Sequence, residues 1–392
     1  MSKAISEQAT LAVPDPKKLS AVQQLCELTD PYAVGKEAES LFVRAMAESV
    51  RWHSEHSPFY RKLLVEHHFT VDQIKSIDDC AKIPFVLANF FKTHEVLSIP
   101  RDDVFANFTS SGTTGQKSQV FFDRWSMQSG QRMVDWIFDY YGWVTPQQKT
   151  NYLLSSYEIE ADSKLGTAHT DHFLCKYAPT QNVFHTLRRD GAGGHEFDPF
   201  GCIEALRRYE KEGLPVRIFG YPAFLYFVLK RMRDLKIPPL KLSSQSLIFL
   251  GGGWKGNADK AISKQELYAQ VVEQLGIPDS RIRDGFGSVE HPIPYVECAH
   301  HQFHTPVWSR VYIRDLKTLK ILPHGEKGFL HFVSPYITSM PAHSVLMGDL
   351  ASLYPGSSCP CEIETPYFVV HGRAGTSKNR SCAVAAAELL KK

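Results

Sequence analysis

The chain has 392 residues, 43% of them apolar and 22% charged, with a formal net charge of +2. That length holds two or three domain-sized units, and the charge is too small to mark nucleic acid or an anionic membrane as a partner. No apolar run reaches the ~18 residues of a membrane span and the N-terminus carries no hydrophobic signal region, so a cytoplasmic protein is expected.

Residues 1–100 read mostly as helix. Within 32–54 the apolar residues Ala33, Leu41, Phe42, Ala45, Met46 and Val50 recur at helical spacing, which predicts one buried face. Ser57-Pro-Phe-Tyr-Arg-Lys-Leu-Leu-Val65 starts a further helix, with serine at the cap and proline in the first turn. Next comes Asn107-Phe-Thr-Ser-Ser-Gly-Thr-Thr-Gly-Gln-Lys-Ser118, the most telling stretch of the chain. Gly112 and Gly115 let the backbone turn several N–H groups toward one anion. The hydroxyls of Thr109, Ser110, Ser111, Thr113 and Thr114 add donors, and Lys117 adds a point charge. A polyphosphate needs these groups. The Walker A motif, G-x-x-x-x-G-K-[ST], does not fit, because two residues separate these glycines and Gln116 parts Gly115 from Lys117.

Past the loop, Val120-Phe-Phe122, Tyr152-Leu-Leu154, Val216-Arg-Ile-Phe219 and Leu247-Ile-Phe-Leu250 are strand candidates. Helical patterns occupy 126–141, 202–211, 222–235 and 258–275, and this alternation predicts a layered α/β body. From residue 298 the texture changes to short strands and turns, with strand candidates at Val311-Tyr-Ile313, Gly328-Phe-Leu-His-Phe-Val333 and Pro366-Tyr-Phe-Val-Val370. The expected division is therefore a helical part at 1–100, an α/β core at 101–297, a β-rich part at 298–371 and a tail at 372–392.

Gly251-x-Gly253-x-x-Gly256 follows an apolar strand and precedes a helix, the setting of a Rossmann fingerprint, so a nicotinamide-dependent oxidoreductase is a competing expectation. Against it, the motif lies late in the α/β run, Trp254 adds bulk where pyrophosphate must approach, and Asp284 lies 28 residues beyond Gly256. The aromatic run Phe219-Gly-Tyr-Pro-Ala-Phe-Leu-Tyr-Phe227 reads equally as the wall of an acyl pocket or as core. His169 and Asp171 are polar residues near the middle of the body with no role assigned.

Eight scattered cysteines in a reducing compartment are thiols or metal ligands. Cys298-Ala-His-His-Gln-Phe-His304 and Cys359-Pro-Cys361 supply C-x5-H and C-x-C, donors of the kind structural zinc prefers. The expected ligands are Cys298, His304, Cys359 and Cys361, with His300 and His301 as competing donors. In the tail, Cys382 stands at the start of an alanine-rich helix candidate with Ser381 as its candidate N-cap and Lys378 and Arg380 nearby, and it reads equally as a thiol inclined to the thiolate or as a small buried hydrophobe.

The order [ST]-S-G-T-T-G-x-K resembles the phosphate loop of the adenylate-forming superfamily, enzymes that join a carboxylate to ATP. Further matches follow in the family's order over about 265 residues. The turn Gly251-Gly252-Gly253 stands where the family holds adenine. Asp284-Gly-Phe-Gly-Ser-Val-Glu290 resembles the aromatic-Gly-x-[ST]-E segment, with Phe286 stacking on adenine, Ser288 beside it and Glu290 holding Mg²⁺; Val289 departs from the pattern. Met347-Gly-Asp349 resembles T-G-D, whose aspartate binds the ribose, and His371-Gly-Arg373 resembles the hinge G-R, whose arginine reaches the nucleotide.

The family continues past that hinge into a mobile lid with a catalytic lysine, whereas this sequence ends nineteen residues after Arg373. A short tail with a cysteine near its end resembles the LuxE-type acyl-protein synthetases, close to the phenylacetate–CoA ligases. The fold so implied is the adenylate-forming large domain, layered α/β subdomains plus a small β-rich subdomain, without the full lid. The implied activity joins a carboxylic acid, probed first as a long-chain fatty acid, to ATP with Mg²⁺. Lys117 and Glu290 would serve adenylation, and Cys382 would take the acyl group and pass it to a reductase or acyl-carrier partner. Competing readings are a CoA ligase with a diffusible acceptor, the oxidoreductase, and a non-catalytic acyl-binding subunit.

Overall fold

The computed structural model describes residues 11–109, 119–158, 173–189 and 194–374. Ser110 to Ser118, His169, Asp171 and the tail with Cys382 lie outside the described residues. The chain forms two compact units, one of residues 1–140, 287–295 and 302–392, the other of residues 141–286 and 296–301.

The first unit opens with helices. Leu19 precedes α1 (Ser20–Cys26) and has no side-chain oxygen to cap it. Glu48 of α2 (Lys36–His56) does so from outside, accepting from the amides of Ala21 and Val22 at 2.7 and 3.1 Å. α2 buries Leu41, Phe42, Ala45, Met46 and Val50, the face that the spacing predicts. The hydroxyl of Ser57 accepts from the Tyr60 amide, with Pro58 in the first turn of α3 (Pro58–Glu66). After the short β1 (Val86–Leu87), β2 (Ala106–Thr109) and β3 (Gln119–Phe122) pair antiparallel with Thr109 opposite Gln119. The expected phosphate-binding residues 110–118 lie in sequence between these two strands. Helix α4 (Arg124–Tyr140) follows.

In the second unit β4 (Thr150–Tyr157) starts a sheet at its middle. The chain moves out through β5 (Thr180–Arg189) and β6 (His195–Phe197), then returns to the other side of β4 for β7 (Val216–Gly220), β8 (Leu247–Gly251) and β9 (Ile282–Ser288). All adjacent pairs in this run are parallel except β5–β6. Leu153, Ile218, Ile248 and Ile282 project from one face into a core shared with α5 (Pro199–Glu212), α6 (Pro222–Asp234) and α7 (Lys264–Leu275). One predicted element differs. The pattern over 258–275 divides into a 3-10 turn, Lys255–Lys260, and α7. Asn257 leaves helical angles at φ −112°, and the Ser263 hydroxyl caps a new start by accepting from the Glu266 amide at 3.1 Å.

Beyond β10 (His291–Val296) the first unit builds an antiparallel sheet, β12 (Arg310–Arg314), β13 (Gly328–Val333), β14 (Ser344–Tyr354), β15 (Tyr367–Arg373) and β11 (Phe303–His304) in spatial order. β1 adds to β14 in parallel. The Gly-Asp of Met347-Gly-Asp349 is not a turn but lies within β14. Among the described residues, no helix is long and apolar enough to cross a membrane.

This unit hides several neutral histidines. His53 and His343 stack at 4.8 Å between centroids, His53 held by Ser98 and the Ile337 carbonyl, and His343 by the Tyr60 hydroxyl. Burial holds His53 and His291 down at about 3, and His331 and His343 also well below the ordinary imidazole value. The unfolded chain therefore takes up protons that the native one refuses. Each such histidine contributes stability above about 6.5 that is lost as pH falls toward the native value, at about 1.4 kcal/mol per pH unit. Unfolding measured in denaturant from pH 7 to pH 5 should show a shallower loss for His291→Gln than for the wild type; equal slopes would contradict this account.

Candidate active site

Of the residues expected to serve the nucleotide, Asp349, Arg373 and Glu290 lie within the first unit. Asp349 on β14 stands directly opposite Arg373 at the end of β15, and Arg373 Nε lies 3.5 Å from Asp349 Oδ1. A register shift between Leu350 and Ala351 passes over His371, and Gly372 takes φ +104°, so the strand kinks just before Arg373. Arg373 is 74% exposed while the Asp349 side chain is 13% exposed, a carboxylate in a recess with a mobile-stemmed cation at its rim. Burial pushes the Asp349 carboxyl up, Arg373 pulls it down, and the charge of Glu290 pushes it up again.

Glu290 lies in the two-residue turn between β9 and β10 and is 7% exposed. No lysine, arginine or histidine among the described residues forms an ion pair with it. A nearly buried carboxylate with no ion pair to a protein cation among the described residues is a donor that suits a hard divalent ion. Ser288 does local work, its hydroxyl accepting from the His291 amide at 3.2 Å and closing the turn.

Gly251, Gly252, Gly253 and Phe286 belong to the second unit. Gly252 and Gly253 take φ +72° and +66°, two successive left-handed residues that a side chain would strain. β8 pairs in parallel with β9 so that Gly251 faces Gly285, which sets Phe286 one residue past that pair on the neighbouring strand. The oxidoreductase reading loses its basis here. The glycines lead into a 3-10 turn and α7 begins only at Lys264, so no α-helix N-terminus abuts the turn to receive a pyrophosphate. The aromatic run divides: Phe219 and Leu225 are fully buried, whereas Phe224 and Phe227 gather around Phe197.

The residues expected to hold a metal come together. One ligand atom from each of Cys298, His304, Cys359 and Cys361 lies within 4.8 Å of all the others. Cys298 sits in a tight turn in which its sulfur accepts from the His300 amide at 3.3 Å and its carbonyl from the His301 amide at 3.0 Å. His304 Nδ1 donates to the Thr365 carbonyl at 2.7 Å, which leaves Nε2 as the lone-pair nitrogen, 3.1 Å from Cys361 Sγ. His301 belongs to another set, bonded to Asp279 at 2.8 Å. Sequence spacing left His300, His301 and His304 in competition, and the fold selects His304. Two residues that the sequence reading passed over, Lys264 and Glu297, form an ion pair at 2.6 Å beside Asp284.

The acyl-protein synthetase LuxE family model matches residues 14–391. A long-chain-fatty-acid–luciferin-component ligase of Vibrio harveyi is 25% identical over 311 residues, 79% of this chain and 79% of that protein. A phenylacetate–coenzyme A ligase of Aromatoleum evansii is 26% identical over 337 residues, 81% of this chain and 67% of that protein. The solved structure of a 2-hydroxyisobutyryl-CoA ligase in complex with 2-HIB-AMP and CoA shares the fold at a TM-score of 0.61 and 17% identity, over 88% of this chain and 69% of that one. The architecture is that of the adenylate-forming enzymes, layered α/β subdomains with a small β-rich one. With its α/β units and the family pattern running along nearly its whole length, the chain belongs to the LuxE acyl-protein synthetases, a branch of the adenylate-forming ligases related to the phenylacetate–CoA ligases.

Proposed function

We propose that this protein activates a long-chain fatty acid with ATP and then acylates its own Cys382. In the first step a carboxylate oxygen attacks the α-phosphorus, the bond to the bridging oxygen breaks, and pyrophosphate leaves. In the second the Cys382 thiolate attacks the acyl carbon, a thioester forms, and AMP leaves with the bonding pair. The thioester keeps the acyl group transferable to a reductase or acyl-carrier partner. The observation that carries this reading is the recessed Asp349 with Arg373 across from it on the neighbouring strand and with the charge of Glu290 acting on the same carboxyl, three residues that match the family's nucleotide motifs.

Asp349 suits the role of acceptor for two ribose hydroxyls, and Arg373 steadies it from the rim. The loop with Thr109, Ser110, Ser111, Gly112, Thr113, Thr114, Gly115 and Lys117 would hold the phosphates. Gly251–Gly253 and Phe286 would take the adenine. Glu290 would hold Mg²⁺, which when bound offsets charge on the phosphates. The test is carboxylate-dependent ATP–pyrophosphate exchange across saturated acids of increasing length, with phenylacetate included. Exchange rising with chain length supports the reading, and no exchange with any acid overturns it. An aromatic optimum would favour a ligase like the Aromatoleum relative.

We assign the cluster of Cys298, His304, Cys359 and Cys361 to one structural zinc ion, on donor chemistry and on the hydrogen bond that His304 Nδ1 donates to the Thr365 carbonyl. Cys359 and Cys361 lie in the connection from β14 to β15, and His304 in β11 beside β15. The ion would fasten the strand whose far end carries Arg373. Purified protein should contain about one equivalent of zinc, and Cys359→Ala should lose the metal and unfold at lower temperature. Metal analysis finding none, in protein prepared without chelator, would remove the assignment.

A further inference from the structure

We propose that Lys264 is a positioning residue for the nucleotide: by bridging Asp284 and Glu297 it fixes the strand end on which Phe286 is presented. The proposal rests on the reading of Phe286 as the adenine-facing residue. Lys264 is the first residue of α7, where the helix dipole disfavours a cation and where helix chemistry alone would choose an acid. Two carboxylates account for it. Its Nζ lies 2.8 Å from Asp284 Oδ2 and 2.6 Å from Glu297 Oε1.

The bridge is tied to the backbone on both sides. The Asp284 amide donates to Glu297 Oε2 at 2.8 Å, and the Glu297 amide donates back to the Asp284 carbonyl at 3.0 Å. The Tyr268 hydroxyl, one turn along α7, donates to the same Glu297 Oε2 at 2.9 Å. His301 Nδ1 stands 3.6 Å from that oxygen. Glu297 is fully buried and Asp284 one quarter exposed, so without the ammonium two acidic groups would confront each other under little solvent. Burial already pushes the Asp284 carboxyl up to about 6, with Lys264 opposing and Glu297 adding to the shift. Asp284 is two residues from Phe286 on β9, and Gly285 between them packs against Gly251. A shift of the carboxylate therefore moves the peptide planes that aim the ring.

The experiment is calorimetric titration of the full chain with ATP and MgCl₂, together with exchange kinetics. Lys264→Met should weaken ATP binding and raise the KM for ATP by about tenfold, leaving kcat at saturating ATP and the KM for the acid unchanged. Lys264→Arg should restore the wild-type values, because it keeps the charge and its two partners. A loss of kcat together with KM, or no rescue by arginine, would show a merely structural role and overturn the proposal. If the methionine variant does not fold, Tyr268→Phe carries the same expectation at about two- to threefold. Phe286→Ala separates the two readings. If it binds ATP like the wild type, the adenine reading fails and this proposal falls with it. If it weakens ATP binding while Lys264→Met does not, the positioning role alone is overturned.

Discussion

Replacing Asp349 by alanine is expected to slow acid-dependent pyrophosphate exchange by about a hundredfold to a thousandfold. A hydrogen bond to a charged acceptor contributes about 1.5–3 kcal/mol. Two ribose hydroxyls on one carboxylate would together supply about 3–4 kcal/mol, and each 1.4 kcal/mol is a factor of ten. The same change should leave the fold intact or make it more stable. Asp349 has its carboxyl pushed up, first by burial and then by Glu290, with Arg373 only partly offsetting this. A carboxyl raised in the native state lowers stability at neutral pH, and that loss is recovered as pH falls through its native value. Its partner Arg373 is largely exposed and returns to solvent without cost. Opposite signs in activity and stability mark a group retained for chemistry. Exchange kinetics and thermal unfolding on one preparation check both. A variant that exchanges at the wild-type rate, or that loses activity only because it unfolds, would defeat the assignment of Asp349 to the nucleotide.

Helix and strand patterns with a clear period were legible in the chain. α2 shows its buried face in the spacing of Leu41, Phe42, Ala45, Met46 and Val50, and α3 shows its cap in Ser57-Pro58. β14 was not legible. Its residues Ser344–Tyr354 contain Gly348, Asp349 and Ser352, which local chemistry reads as a turn, and only pairing with β13 and β15 on either side holds them extended. The division of 258–275 turned on Ser263, a capping residue inside an apparently continuous helical pattern. The site was legible as residue types but not as geometry. The strand register that sets Arg373 opposite Asp349 depends on a bulge at His371 that no spacing announces. The choice of His304 over His300 and His301 depends on the Thr365 carbonyl, 61 residues away in sequence. Lys264 gave one local signal, a cation as the first residue of a helix, whose cause lies in Asp284 and Glu297.

Cys382→Ser should keep acid-dependent pyrophosphate exchange and lose stable labelling of the protein by radioactive fatty acid and ATP. Adenylation needs the nucleotide and the carboxylate sites, whereas acylation needs a nucleophile that reaches the mixed anhydride. A thiolate attacks that carbonyl readily and leaves a thioester that can be passed on. The other thiols are poorly suited. Burial pushes Cys80 up to about 12, and Cys26 and Cys202 higher still, so each is almost entirely protonated at neutral pH. Cys298, Cys359 and Cys361 are grouped with His304, where the proposed zinc ion would occupy them. Cys175 is half-buried and is the one remaining competitor among the described cysteines. Labelling followed by peptide mapping decides between them. Label that survives Cys382→Ser, or that maps to Cys175, would show that the tail is not the acceptor. Loss of exchange along with labelling would place the tail in the adenylation step, where related enzymes use a lid. Exchange kept and labelling lost, with hydroxylamine releasing the wild-type label, would establish a two-step path in which activation and transfer are separate and Cys382 belongs only to the second.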